Sequence, residues 1–140
     1  MESRNYQLDE TRMFADITDG TAIIINSTTG IYYGFNEFGT AIYENLQEGS
    51  STGEILSAVK AIPGVPDRFD SLFESFIASL VGFEIVIPVE GKEPRTAVID
   101  PEIARKDDFV PLCNEYKDVQ ELLFADPIHE VDVDEGWKPE

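Results

Sequence analysis

Histidine and cysteine most often carry nucleophilic, acid–base or metal chemistry, and this chain has one of each. His129 stands among Asp126, Glu130, Asp132 and Asp134, all able to offer oxygen ligands. Their spacing matches no ligand pattern, because an EF-hand loop needs a central glycine and a closing glutamate in fixed register. Cys113 has no sequence neighbour to serve as its base. Neither G-x-x-x-x-G-K nor G-x-G-x-x-G occurs. The expectation is a protein that is not an enzyme and needs neither metal nor cofactor.

Charge narrows the partners. Ten Lys and Arg residues face 28 Asp and Glu, a formal net charge of −18. Phosphate binding needs a basic surface, so nucleic acid and anionic membranes are poor partners. The lone cysteine allows no internal disulfide and fits a reducing compartment. The opening MESRNYQLDE has no apolar signal core, and no apolar run approaches the ~20 residues of a membrane helix. A cytoplasmic location is expected.

The elements that must position any site are organised around Thr21–Leu46. Ala22–Ile25 is a β-branched run, and Ser27–Gly30 supplies turn chemistry. Ile31–Phe35 alternates, with Ile31, Tyr33 and Phe35 on one face and Tyr32 and Gly34 on the other. Met13–Thr18 also alternates, and Asp19-Gly20 joins it to the next run as a hairpin. These runs predict a three-stranded antiparallel meander. Asn36 is placed to cap a helix over Glu37–Glu48, ending near Gly49. Ser51 and Glu54 have capping-box spacing and open a second helix carrying Ile55, Leu56, Val59 and Ile62. Pro63-Gly64 stops it. Pro66 and Asp67 open a third helix, with Asp67 as its cap and Phe69, Leu72, Phe73, Phe76, Ile77 and Leu80 on its apolar face. Gly82 ends it, and Phe83–Ile87 reads as a short strand closed by Pro88.

This order is an α+β chain, three strands followed by three helices and a strand. Residues 1–10 read as a flexible N-terminus and 11–89 as the domain. Residues 90–106 read as a linker punctuated by Gly91, Pro94 and Pro101. Residues 107–140 form an acidic tail, with 11 acidic residues against Lys117 and Lys138, a net of −9. Tyr116, Val119, Leu122, Leu123, Phe124 and Trp137 are apolar anchors in it. Two readings stay open: a docking element for a partner, or an arm packed on its own domain.

The stretches TAIIINSTTGIYYGFN, NEFGTAIYENLQEG, STGEILSAVK and FDSLFESFIASL together resemble the PqqD family. The resemblance covers roughly residues 11–88, and departs from the family in having Phe35 where leucine is common and Tyr43 where tryptophan is common. The closing DPIHEVD and GW are similar to tails of PqqD-like proteins outside quinone biosynthesis. The resemblance implies a winged-helix-like fold and a peptide-recognition element in the maturation of ribosomally made peptides. Such an element binds the leader of a precursor peptide and presents it to a modifying enzyme, often a radical S-adenosylmethionine protein. Carried over, the leader adds as a strand along Ile31, Tyr32, Tyr33, Gly34 and Phe35. Its side chains then meet Phe69, Phe73, Phe76 and Ile77 of the third helix.

The energetics of such a site rest on side chains. Four or five backbone hydrogen bonds at roughly 0.5–1.5 kcal/mol each are nearly offset by roughly 1–2 kcal/mol per ordered peptide residue. Two or three buried Leu, Ile or Phe anchors at roughly 1.5–3 kcal/mol each reach the micromolar range. The same strand and helix residues read equally as core, and Gly34 as a bulge. A regulatory winged-helix module with a protein or DNA partner is the alternative. Against DNA, the third helix carries only Arg68 beside Asp67, Asp70 and Glu74. Edge-strand pairing also lets two copies join as a homodimer.

Overall fold

The computed structural model describes residues 2–91 and 93–117. The order is β1 (Asn5–Leu8), β2 (Met13–Thr18), β3 (Thr21–Asn26), β4 (Tyr32–Phe35), α1 (Glu37–Glu48), α2 (Thr52–Lys60), α3 (Phe69–Gly82), β5 (Val86–Val89), α4 (Pro101–Lys106) and β6 (Cys113–Tyr116). It is an α+β fold with antiparallel sheets and four helices among the described residues. The main sheet is four-stranded, in the order β2-β3-β4-β6, rather than three-stranded; β1 and β5 form a second sheet.

Asp19 and Gly20 both take positive φ, at 53° and 79°, which matches the twist of a two-residue hairpin between β2 and β3. Asn36 caps α1, its side chain accepting from Gly39 N at 2.8 Å. The Ser51–Glu54 capping box of α2 is complete. The third helix differs from its expected start. Arg68 occupies the cap position without a side-chain bond, and Asp67 lies before it. Glu84, at φ 63°, turns the chain out of α3, so β5 begins at Val86 and takes in Pro88.

Three segments read as irregular in the sequence are ordered. The N-terminal residues are not loose: Asn5–Leu8 pairs with Val86–Val89, Arg4 O accepts Thr52 N–H, and Arg4 N–H donates to Thr52 Oγ1. The supposed linker is packed, with Ala97, Ile99 and Ala104 buried. Asn45 of α1 holds it by donating to Val98 O and accepting Val98 N–H, both at 3.0 Å. Asp100 caps α4 with Pro101 in its first turn. The first part of the acidic tail also folds back. Phe109 is buried edge-on to Phe38, with ring centroids 6.4 Å apart, and β6 follows it onto the main sheet. Tail residues 118–140, including His129 and its acidic neighbours, lie outside the described residues.

The core joins the inner face of the main sheet to α1, α2 and α3. Ile24, Phe38, Ile42, Leu46, Ile55, Phe69, Phe73 and Leu80 are fully enclosed. Each such side chain stabilises the fold by roughly 1.5–3 kcal/mol relative to exposure.

Candidate functional site

The phase of each ladder decides which backbone groups face which neighbour. Asn26 N–H donates to Ile31 O at 2.8 Å, and Ser27 N–H donates to Arg12 O at 2.8 Å. Hydrogen-bonded pairs recur at every second residue of an antiparallel ladder. Tyr33 therefore bonds to β3, while Tyr32 and Gly34 turn their backbone groups toward the far rim of β4. That rim is the strand edge the sequence marks for a peptide, and β6 covers it. The pairs are Tyr32 with Tyr116, Tyr33 with Glu115, Gly34 with Asn114 and Phe35 with Cys113.

Asn36 organises the entry of this added strand. Its Oδ1 accepts from Leu112 N at 3.0 Å as well as from Gly39, and its Nδ2 donates to Val110 O at 2.8 Å. Its backbone N–H reaches Leu112 O at 3.3 Å. Asp107 reinforces the junction, its Oδ2 accepting Phe38 N–H at 2.9 Å, and Lys106 Nζ lies 2.6 Å from Glu37 Oε1. The ammonium of Lys106 gains proton affinity, chiefly from that hydrogen bond.

Two glycines make room. A β-carbon on Gly39 would stand 2.8 Å from Leu112 O and 3.2 Å from the Phe76 ring. One on Gly34 would stand 3.2 Å from Cε2 of Tyr116. Gly34 is thus a point of close approach within a regular ladder, not a bulge, and the ring that approaches belongs to the chain itself.

The sequence-derived site residues divide by face. Tyr33, Phe35, Phe69, Phe73, Phe76 and Ile77 are all buried. Phe35 packs edge-on to Phe76 and Tyr43, with centroids 6.0 and 5.7 Å away. Tyr33 lies 4.9 Å from Phe83, and burial raises its phenol pKa. These six belong to one continuous core. Ile31, Tyr32 and Gly34 are half-buried. On the outer face, Phe14, Ile25, Tyr32 and Tyr116 are consecutive cross-strand partners and form one apolar row over four strands.

Burial pushes the Cys113 thiol up to about 12, with Glu115 adding to it, so at neutral pH it is not a thiolate. Among the described residues no group of three or more His, Cys, Asp or Glu side chains is placed to hold a metal ion. No helix among them is long and apolar enough to cross a membrane.

The sequence reading missed Asn36 as the hub of the 110–112 junction and Cys113–Tyr116 as a strand. The cap signal at Asn36 was legible, but its second set of partners lies more than seventy residues away. Comparisons with family models, curated proteins and solved structures found no match to this chain.

Proposed function

We propose that the protein is a non-catalytic adaptor that binds the leader of a ribosomally made precursor peptide by strand addition to β4. It presents that leader to a peptide-modifying enzyme of the radical S-adenosylmethionine type. On this reading the domain is winged-helix-like, and its place of action is the cytoplasm. The observation that carries it is the antiparallel pairing of Cys113–Tyr116 with Tyr32–Phe35. The rim of β4 accepts an extended segment, with Gly34 open to an aromatic side chain and Asn36 ready for the backbone that follows. A leader takes the rim by displacing β6. The four β6 residues must leave, Asn114 and Glu115 among them already exposed, and Asn36 must release Val110 and Leu112 before it can bond the leader. The side-chain anchors of the leader then lie over the outer face beside Tyr32, or enter the core face as Phe35 and Phe76 move apart.

The test is a titration of a labelled leader, taken from a short reading frame beside the gene, against the full-length chain and its Asn114→Pro variant. Gly34 and Asn114 form a hydrogen-bonded pair in the ladder phase set by Asn36 and Leu112, so proline there removes a bond that holds β6. The variant is expected to bind about tenfold tighter than the wild type. Absence of binding by both folded proteins would refute the reading.

A further inference from the structure

The opposite rim of the sheet is the outer edge of β2. With Ser27 bonded to Arg12, the ladder phase turns Phe14 and Asp16 toward β3 and turns the backbone groups of Ala15 and Ile17 outward. No strand among the described residues meets them. Beside this rim runs a groove of about 580 Å³ between β2 and α1, lined by Met13, Ala15 and Ile17 on one wall and Tyr43, Glu44 and Gln47 on the other. Around the rim, Phe14 is 66% exposed and Ile17 40%. A strand laid here would find apolar surface toward both of its faces.

The charged side chains that line the groove are all acidic. Glu10, Glu44 and Glu48 line it. Glu10 and Glu44 make no ion pair among the described residues, whereas Glu48 holds Arg95 at 3.3 Å. Arg12, at the start of β2, is taken by Asp9 at 3.2 Å and Glu84 at 3.1 Å. The Tyr43 phenol registers this field: it is pushed up to about 12 by burial first, then by Glu10 and Glu44.

We propose that the β2 rim and its groove dock an extended basic segment of another protein, which adds to β2 as a further strand. Its apolar side chains fill the space between Ile17 and Tyr43, and its Lys or Arg side chains meet Glu10, Glu44 and Asp16. Charge excludes the cheaper occupants. The region 107–140 carries a net of −9, and a second copy brings the same acidic rim. The site stands whether or not β4 takes a leader.

The probe is a labelled nine-residue peptide alternating valine with lysine, tested against the full-length chain by fluorescence anisotropy. The control peptide has glutamate in place of lysine. Binding of the lysine peptide alone, weakening with added salt, is expected. Ala15→Pro removes only an outward N–H, which an edge strand tolerates, and should weaken binding about tenfold. The double variant Glu10→Lys, Glu44→Lys should do the same with no backbone change, and Asn114→Pro should leave binding intact. Equal binding by wild type and by both folded variants would overturn the proposal in favour of diffuse charge attraction. A wild-type dimer that Ala15→Pro converts to monomer would overturn it in favour of a second copy.

Discussion

β4 and β2 border the same sheet, and the chain treats their outer rims in opposite ways. The rim of β4 is covered by a strand that arrives almost eighty residues later, guided by Asn36 and anchored by Phe109. The rim of β2 has no strand on it among the described residues, and apolar and acidic side chains flank it. Unpaired edges invite association, and proteins usually blunt them with charge or cover. Here charge guards one rim and a covering strand guards the other. Covering excludes every partner until the strand leaves, whereas charge excludes only partners of the same sign. On the two proposals above, a partner of β4 would have to exchange with β6, and a partner of β2 would be selected by its charge.

The comparison breaks most completely if the anchor of β6 is removed. Phe109→Ala should cost about 3–5 kcal/mol of stability by denaturant unfolding, since it empties a buried site against Phe38. Asn36→Ala should cost about 2–3 kcal/mol, more than a helix cap alone, because the bonds to Val110 and Leu112 go with it. Its effect should extend to β4, where the Tyr32 and Gly34 amides lose protection.

Hydrogen exchange on the unaltered chain sharpens the same contrast. The Ala15 and Ile17 amides, facing outward, should exchange on the order of 100-fold faster than those of Tyr32 and Gly34 under β6. Similar rates at the two rims would show that β6 opens as freely as solvent meets β2.

The smallest expected effect concerns acid. The Asp9 carboxyl, at the corner leading into β2, is held below the ordinary carboxylate range chiefly by the Thr11 hydroxyl and further by Arg12. Glu54 is lowered chiefly by the Ser51 backbone N–H. A carboxyl whose pKa falls on folding stabilises the fold above its unfolded value, near 4, and that contribution disappears as pH drops through the folded value. Thr11→Val should therefore lower the neutral value slightly, leave the stability at the lowest pH unchanged, and so flatten the acid limb below about pH 4. An unchanged acid limb would remove Asp9 from this role.

The parts legible in the sequence are those whose signal is local. Alternation marked β2 and β4, a β-branched run marked β3, the Asp19-Gly20 pair marked the hairpin of β2 and β3, and Ser51 with Glu54 marked the start of α2. What escaped depends on distant partners. Cys113-Asn-Glu-Tyr has no period of its own and becomes a strand because β4 offers it a ladder. Asn5–Leu8 is half-polar and is set by β5. Asp100-Pro101 did carry a cap-and-proline signature, but the surrounding Pro and Gly outweighed it. The aromatic residues of β4 and α3 were legible as a group. Whether they line a groove or fill a core depends on the chain that packs beside them.

The antiparallel course of β6 also gives the covering strand a mechanical character. Residues 118–140 follow directly after it. A pull on them would load the rungs one at a time, first Tyr116 with Tyr32 and then Asn114 with Gly34. Peeling of this kind needs far less force than sliding a whole strand in shear. The tear would reach Asn36 and then meet Phe109, seated in the core. A partner gripping the tail could therefore unzip the rim without pulling the domain apart.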